Sequence, residues 1–211
     1  MHTVHTEEYK GYTIKISPDM DAMNPREWDN LGTMTCWHRR YNLGDKHDYR
    51  EPDDFILSFV PDNAPCTESM SLNELIEKYV RPKAIILPLY LYDHSGITMN
   101  TTGFHCPWDS GQVGFIHVML DKVRQEWGVK RTSQKLRQQI EDSLKAEVST
   151  YDDYLRGNVY GYEVEKNGEH IDSCWGFIGD YEDYCLSEAR SAADCAEREA
   201  LPLLNRAGLL T

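Results

Sequence analysis

Between Asp93 and Gln112 the chain carries Asp93, His94, His105, Cys106 and Asp109. This set holds a potential nucleophile, two potential bases and carboxylates able to orient them. Cys106 can act as a nucleophile with His94 or His105 as its base, and a hydrolase or transferase would also need an oxyanion donor at the same place. The same residue types also serve loop structure. Asp93 and Asp109 can cap turns, the histidines can satisfy loop carbonyls, and Cys106 can lie in the core. No recognised catalytic spacing favours the chemical reading. A second group is Cys36-Trp37-His38-Arg39-Arg40, which puts a thiol, an imidazole and two guanidinium groups side by side. Arginines next to His38 can hold a phosphate or carboxylate, or they can pair with the chain's own surplus acids.

That surplus is the third feature. The chain has 35 acidic residues against 22 Lys and Arg, a formal charge of −13. Residues 151–211 alone hold 13 acids and 5 bases. Asp152, Asp153, Glu163, Glu165, Asp180, Glu182, Asp183 and Glu188 are the candidate partner-binding carboxylates in this part of the chain. An acidic chain is poorly suited to hold nucleic acid directly, because phosphate binding needs cations. Spaced carboxylates on a rigid scaffold can instead imitate the phosphates and attract a basic surface. The plainer alternative is a solvated acidic face that serves solubility.

Two apolar runs flank the Asp93–Gln112 loop, Ala84–Tyr92 and Val113–Met119, and both read as buried strands. Pro88 places the first of them at a sheet edge or beside a bulge. The loop is expected to be ordered, with Phe104 and Trp108 substantially buried. Val4–Tyr9 and Tyr12–Ser17 read as a hairpin turning at Lys10-Gly11. Residues 18–54 show no sustained period and read as an irregular segment packed on the domain, with one short helix near Glu27. Asp54–Val60 reads as a strand. Ser71 and Glu74 stand in capping-box relation and open a helix. Leu120, Val123 and Trp127 mark a short helix stopped by Gly128. A longer one starts near Thr132 with the stripe Leu136, Ile140, Leu144, Val148 and Tyr151 and a solvated outer face that includes Glu147. Val159–Lys166 and Glu169–Ile178 form the strongest hairpin, with Asn167-Gly168 as its type I′ turn. Asp180 is placed to cap a final helix whose narrow face runs through Cys185, Ala189, Ala192, Ala193, Ala196 and Ala200.

The fold class expected is therefore α+β. Residues 1–211 are read as one domain, with a mainly antiparallel sheet of about four to six strands, three or four helices and long ordered loops. No run approaches the ~18 apolar residues of a membrane span, and the N-terminus lacks the apolar stretch of a secretory signal. A cytoplasmic protein without membrane contact is expected. The six cysteines show no C-x-x-C pair and are read as free, mostly buried thiols. Neither a metal nor a cofactor is expected.

Three phrases, NPREWDNLGTMTCWHRRYNLGD (24–45), LPLYLYDHSGITMNTTGFHCPWDSGQVGFIHV (87–118) and DSCWGFIGD (172–180), resemble a family of uncharacterised proteins from phages, plasmids and other bacterial mobile elements. The resemblance spans most of the chain. It implies a context rather than a reaction, since small accessory proteins of such elements often counter host defence by anti-restriction or anti-CRISPR action. Joined to the acidic charge, it leads to an expected inhibitor that occupies a basic nucleic-acid-binding surface on a host protein or complex. The alternative is a small hydrolase or transferase built from the 93–112 loop and Cys36–Arg40.

Overall fold

A computed structural model describes the backbone of residues 2–206 and the side chains of residues 2–199. The fold is α+β and every strand pairing is antiparallel. Among the described residues, eight strands divide evenly between two four-stranded sheets. The chain forms two compact units, one of residues 1–24 with 153–211 and one of residues 25–152. No helix among the described residues is long and apolar enough to cross a membrane.

The first unit holds the sheet ordered β1-β2-β7-β8, from β1 (His5–Tyr9), β2 (Tyr12–Pro18), β7 (Val159–Lys166) and β8 (Glu169–Ile178). Both hairpins turn where expected. Lys10 and Gly11, and Asn167 and Gly168, all have positive φ, as the type I′ geometry requires. Tyr12, Ile14, Ile16, Tyr162 and Val164 bury one face of the sheet. Against it lies the final helix, numbered α5 below (Cys185–Arg206), through Cys185, Ala189 and Ala193. Small residues let the helix approach the strands closely. Ala200 lies outside the described side chains. Asp180 does not cap this helix. It accepts the Glu182 N–H at 3.0 Å and closes the turn before it, because the helix begins only at Cys185.

The second unit holds the sheet ordered β3-β6-β4-β5, from β3 (Thr33–Cys36), β4 (Ala84–Asp93), β5 (Ile97–Asn100) and β6 (Ser110–Met119). Pro88 sits where β4 pairs with β6 alone, one residue before a bulge at Leu89/Tyr90, so no missing N–H interrupts a ladder. Phe55, Phe59, Leu75, Ile76 and Val80 pack on Ile86 and Phe115 on one face of the sheet. They come from α1 (Pro52–Leu57) and, for Phe59, the turn after it, and from α2 (Leu72–Leu75) with the π-helical turn that continues it to Val80. The Ser71/Glu74 capping box is made in both directions. A short α3 (Leu120–Glu126) follows β6 and ends before Gly128, whose φ is positive. On the other face the long α4 (Gln134–Leu155) brings Leu144 to Ile116, and both crowd the space above Gly32.

Four further expectations are corrected. Residues 54–60 are not a strand, since Pro52 at the first turn with Asp53 and Asp54 behind it starts α1 instead. The segment 18–54 is less irregular than it reads, because Thr33–Cys36 is a strand. The cysteines are all free but not mostly buried. Cys36 and Cys185 are buried, whereas Cys66, Cys174 and Cys195 are exposed. Glu147 is not a solvated carboxylate either. It accepts the Leu31 and Gly32 N–H groups at 2.8 and 3.1 Å and pairs with Arg26 at 3.1 Å.

His117 on β6 packs its ring 4.9 Å from Phe55, and its Nδ1 is buried without a partner. Burial pushes the imidazole below its usual value of 6.5, against a hydrogen bond with the Thr33 backbone that raises it. Above pH ~6.5 the ring is neutral in both folded and unfolded chains, and this stability is fully present. Below that value the unfolded chain takes up the proton first, so stability falls until the lower folded value is passed. The expected slope is at most ~1.4 kcal/mol per pH unit. Urea unfolding from pH 7.5 to 5 should show this fall, and His117→Phe should flatten it. An unchanged slope in the variant would mean that other groups carry the dependence.

Candidate functional site

The two groups of chemically capable residues, far apart in sequence, meet at one end of the second unit's sheet. Trp37 donates its backbone N–H to Val113 O at 2.7 Å, which extends the β3–β6 pairing and brings His38, Arg39 and Arg40 alongside the start of β6. The approach is close because residue 114 is glycine. A Cβ there would lie 2.2 Å from Thr35 O and 2.9 Å from Cys36 Cα. On the opposite side Asp93 N–H donates to Asp109 O at 2.8 Å, so the end of β4 holds the loop that precedes β6. The result is an open cleft of about 550 Å³, bounded by His38, Arg39 and Arg40, by Leu91 and Asp93, and by Trp108 to Val113.

The Asp93–Gln112 stretch is not one long loop. Ile97–Asn100 forms β5, reached by a tight turn with positive φ at Ser95 and Gly96. Asp152 fixes this strand by accepting from Thr98 Oγ1 at 2.7 Å and from Met99 N–H at 2.6 Å. Asn100 then accepts from the Thr102 and Gly103 N–H groups at 3.1 and 2.7 Å and closes the next turn. Phe104 is half-buried against Tyr92, with ring centroids 5.6 Å apart. Trp108 overturns its expectation, because 91% of it is exposed at the mouth of the cleft. Its apolar bulk argues for a core, but it sits in the turn at residues 107–109, just before β6.

Most polar groups of the cleft already have partners. Asp93 accepts from Arg40, in a close ion pair, and from the Tyr41 hydroxyl at 3.2 Å. Asp109 Oδ2 lies 3.3 Å from His94 Nδ1 and 3.8 Å from Cys106 Sγ. The carboxylate therefore stands between thiol and imidazole, whereas a nucleophile needs the imidazole next to the thiol. His105 is exposed and does not border the cleft. Cys36 is buried and does not border the cleft, and burial pushes its thiol up to about 12, with Asp45 adding to the rise. A thiol so raised stays protonated and inert at neutral pH. His38 Nδ1 accepts the Arg40 and Tyr41 N–H groups at 3.3 and 3.2 Å, which leaves the proton of a neutral ring on Nε2. Arg39 is exposed, and among the described residues no carboxylate pairs with it. That Arg39 and Trp108 border one cleft escapes sequence reasoning, since nothing local signals it.

The acidic candidates fall into two classes. Asp152, Asp153 and Glu165 have structural partners in Thr98 and Met99, Asn158 (3.1 Å) and Lys15 (2.6 Å). Asp180, Glu182 and Asp183 are exposed on the turn before α5, and Glu163 and Glu188 are half-buried. Glu188 borders a groove of about 430 Å³ between the β7–β8 hairpin and α5, together with Asp172, Glu199 and Tyr162. The Tyr162 hydroxyl donates to Asp172 at 3.2 Å, and burial together with that carboxylate holds the phenol protonated.

Among the described residues no group of three or more His, Cys, Asp or Glu side chains is placed to hold a metal ion. Fold and site thus define an α+β chain of two antiparallel sheets, with an open polar cleft in one unit and an acid-lined groove in the other. Compared with protein-family models, with curated proteins and with solved structures, the chain finds no match.

Proposed function

We propose that this protein is a non-enzymatic accessory inhibitor of a phage or mobile element. It acts in the host cytoplasm, where its acidic first unit covers a basic nucleic-acid-binding surface of a host defence complex. The observation that carries this reading is the charge of that unit, which has sixteen acids against seven bases. The exposed carboxylates of the 180–183 turn and the acid-lined groove beside Glu188 support it, because a groove of that size accepts a lysine or arginine side chain between opposite charges. The sequence resemblance supports the context. In the enzymatic alternative the convergence of residues 36–40 with 93–112 is favourable, but the order of Cys106, Asp109 and His94 is not.

The test is recovery of a partner from host lysate, followed by a salt titration of the complex. Association should weaken steeply as the Debye length drops from ~10 Å at 0.1 M to ~3 Å at 1 M. Reversal of Asp180, Glu182, Asp183 and Glu188 to Lys together should abolish both association and inhibition. Cys106→Ser, His94→Asn and Asp109→Asn should each leave them intact. Thermal unfolding should first show that every variant is native-like. If Cys106→Ser or Asp109→Asn alone removes function in a folded protein while the fourfold reversal does nothing, the inhibitor reading fails and the enzyme reading replaces it.

A further inference from the structure

The open cleft of the second unit differs in character from the acidic surface of the first. Its carboxylates are committed, Asp93 to Arg40 and Tyr41, and Asp109 to His94. Its neutral polar groups are largely committed as well. The Ser110 hydroxyl donates to Cys106 O, the Gln112 amide donates to Gly114 O at 3.3 Å, and Trp37 Nε1 donates to Tyr49 O at 3.0 Å. Among the described residues, two donors of the cleft remain without an acceptor, the Arg39 guanidinium and His38 Nε2–H. A bare indole face borders the same cleft, since Trp108 is 91% exposed there. Two unused donors on one cleft suit an anion. A tryptophan left in water on the same cleft calls for a planar apolar surface to cover it. One guanidinium without an ion-pair partner is too little for a nucleic-acid strand, whose binding needs a run of cations.

From these features we infer that the cleft is a binding site for a small ligand that joins one anionic group to a planar ring, as a nucleoside monophosphate or an aromatic carboxylate does. Arg39 and His38 hold the anion and Trp108 stacks on the ring. This site is separate from the acidic surface and does not depend on how that surface is used.

Isothermal calorimetry on the intact protein tests it, with AMP, CMP, nicotinate, adenosine and inorganic phosphate as probes. Saturable binding with a Kd below about 1 mM is expected for at least one probe that has both an anionic group and a ring. AMP against nicotinate decides whether the anion is a phosphate or a carboxylate. Adenosine, which lacks the charge, and inorganic phosphate, which lacks the ring, should each bind at least about tenfold more weakly. Arg39→Gln and Trp108→Ala should each cost about tenfold or more in affinity. Both side chains are exposed, so neither change should disturb folding, and unaltered thermal unfolding checks that. The fourfold acid reversal in the first unit should leave this binding unchanged, which keeps its failure distinct from failure of the inhibitor reading. The inference is overturned if AMP, CMP and nicotinate all fail to saturate up to about 10 mM, or if binding is the same in both variants. In either case Trp108 and Arg39 do not form a small-ligand site.

Discussion

Arg26→Ala is expected to lower the stability of the second unit by ~3–5 kcal/mol, the range seen when one partner of a buried ion network is removed. Only 3% of the Arg26 side chain is exposed. Its guanidinium meets Asp45 with two nitrogens, at 3.0 and 2.8 Å, donates to Gly32 O at 2.7 Å and reaches Glu147 at 3.1 Å. The two carboxylates in turn accept backbone N–H groups, Asp45 from Met34 at 2.7 Å and Glu147 from Leu31 and Gly32. One side chain therefore ties the segment before β3, the loop after it and α4 together. Alanine leaves two carboxylates facing a void without their counter-charge. A lysine restores charge but not the fork, so Arg26→Lys should recover only part of the loss. Urea and thermal unfolding of both variants check this, with a Tm drop of at least several degrees for Arg26→Ala. A loss below about 1 kcal/mol would mean that the network is solvated and structurally minor.

Gly114→Ala should also be strongly destabilising, by about 3 kcal/mol or more, at the upper end of the range for overpacked sites. The added carbon would sit 2.2 Å from a carbonyl oxygen and 2.9 Å from a Cα. Both belong to the backbone of β3, so no side-chain rotation relieves the overlap. The strands must part, and with them goes the Trp37–Val113 hydrogen bond that sets His38 and Arg39 on the cleft. Gly111→Ala is the control three residues earlier. A Cβ there meets nothing within 4 Å, so that variant should unfold within ~0.5 kcal/mol of the parent. Equal unfolding midpoints for the two variants would refute this account of residue 114.

Local chemistry alone determined a good part of this protein. Asn167-Gly168 and Lys10-Gly11 adopt positive φ at low cost, so both hairpins were legible. Ser71 and Glu74 satisfy each other's backbone within one turn, and Pro88 cannot sit between two strands. The alanine face of α5 also declared its close packing. Each of these interactions is complete within a few residues and competes with little else. Where neighbours across the chain decide, the sequence was silent or misleading. Glu147 looked solvated because its partner Arg26 is 121 positions away. Residues 33–36 became a strand because Gly114 lets β6 approach, and β5 emerged from an apparent loop because Asp152 pins it. Trp108 was read as core because hydrophobicity records only the cost of exposure, whereas the course of the surrounding strands decides where that cost is borne. The same is true of the cleft. Arg39 and Trp108 acquire a common purpose only when β3 pairs with β6, and that pairing depends on backbone contacts that no spacing in the sequence reveals.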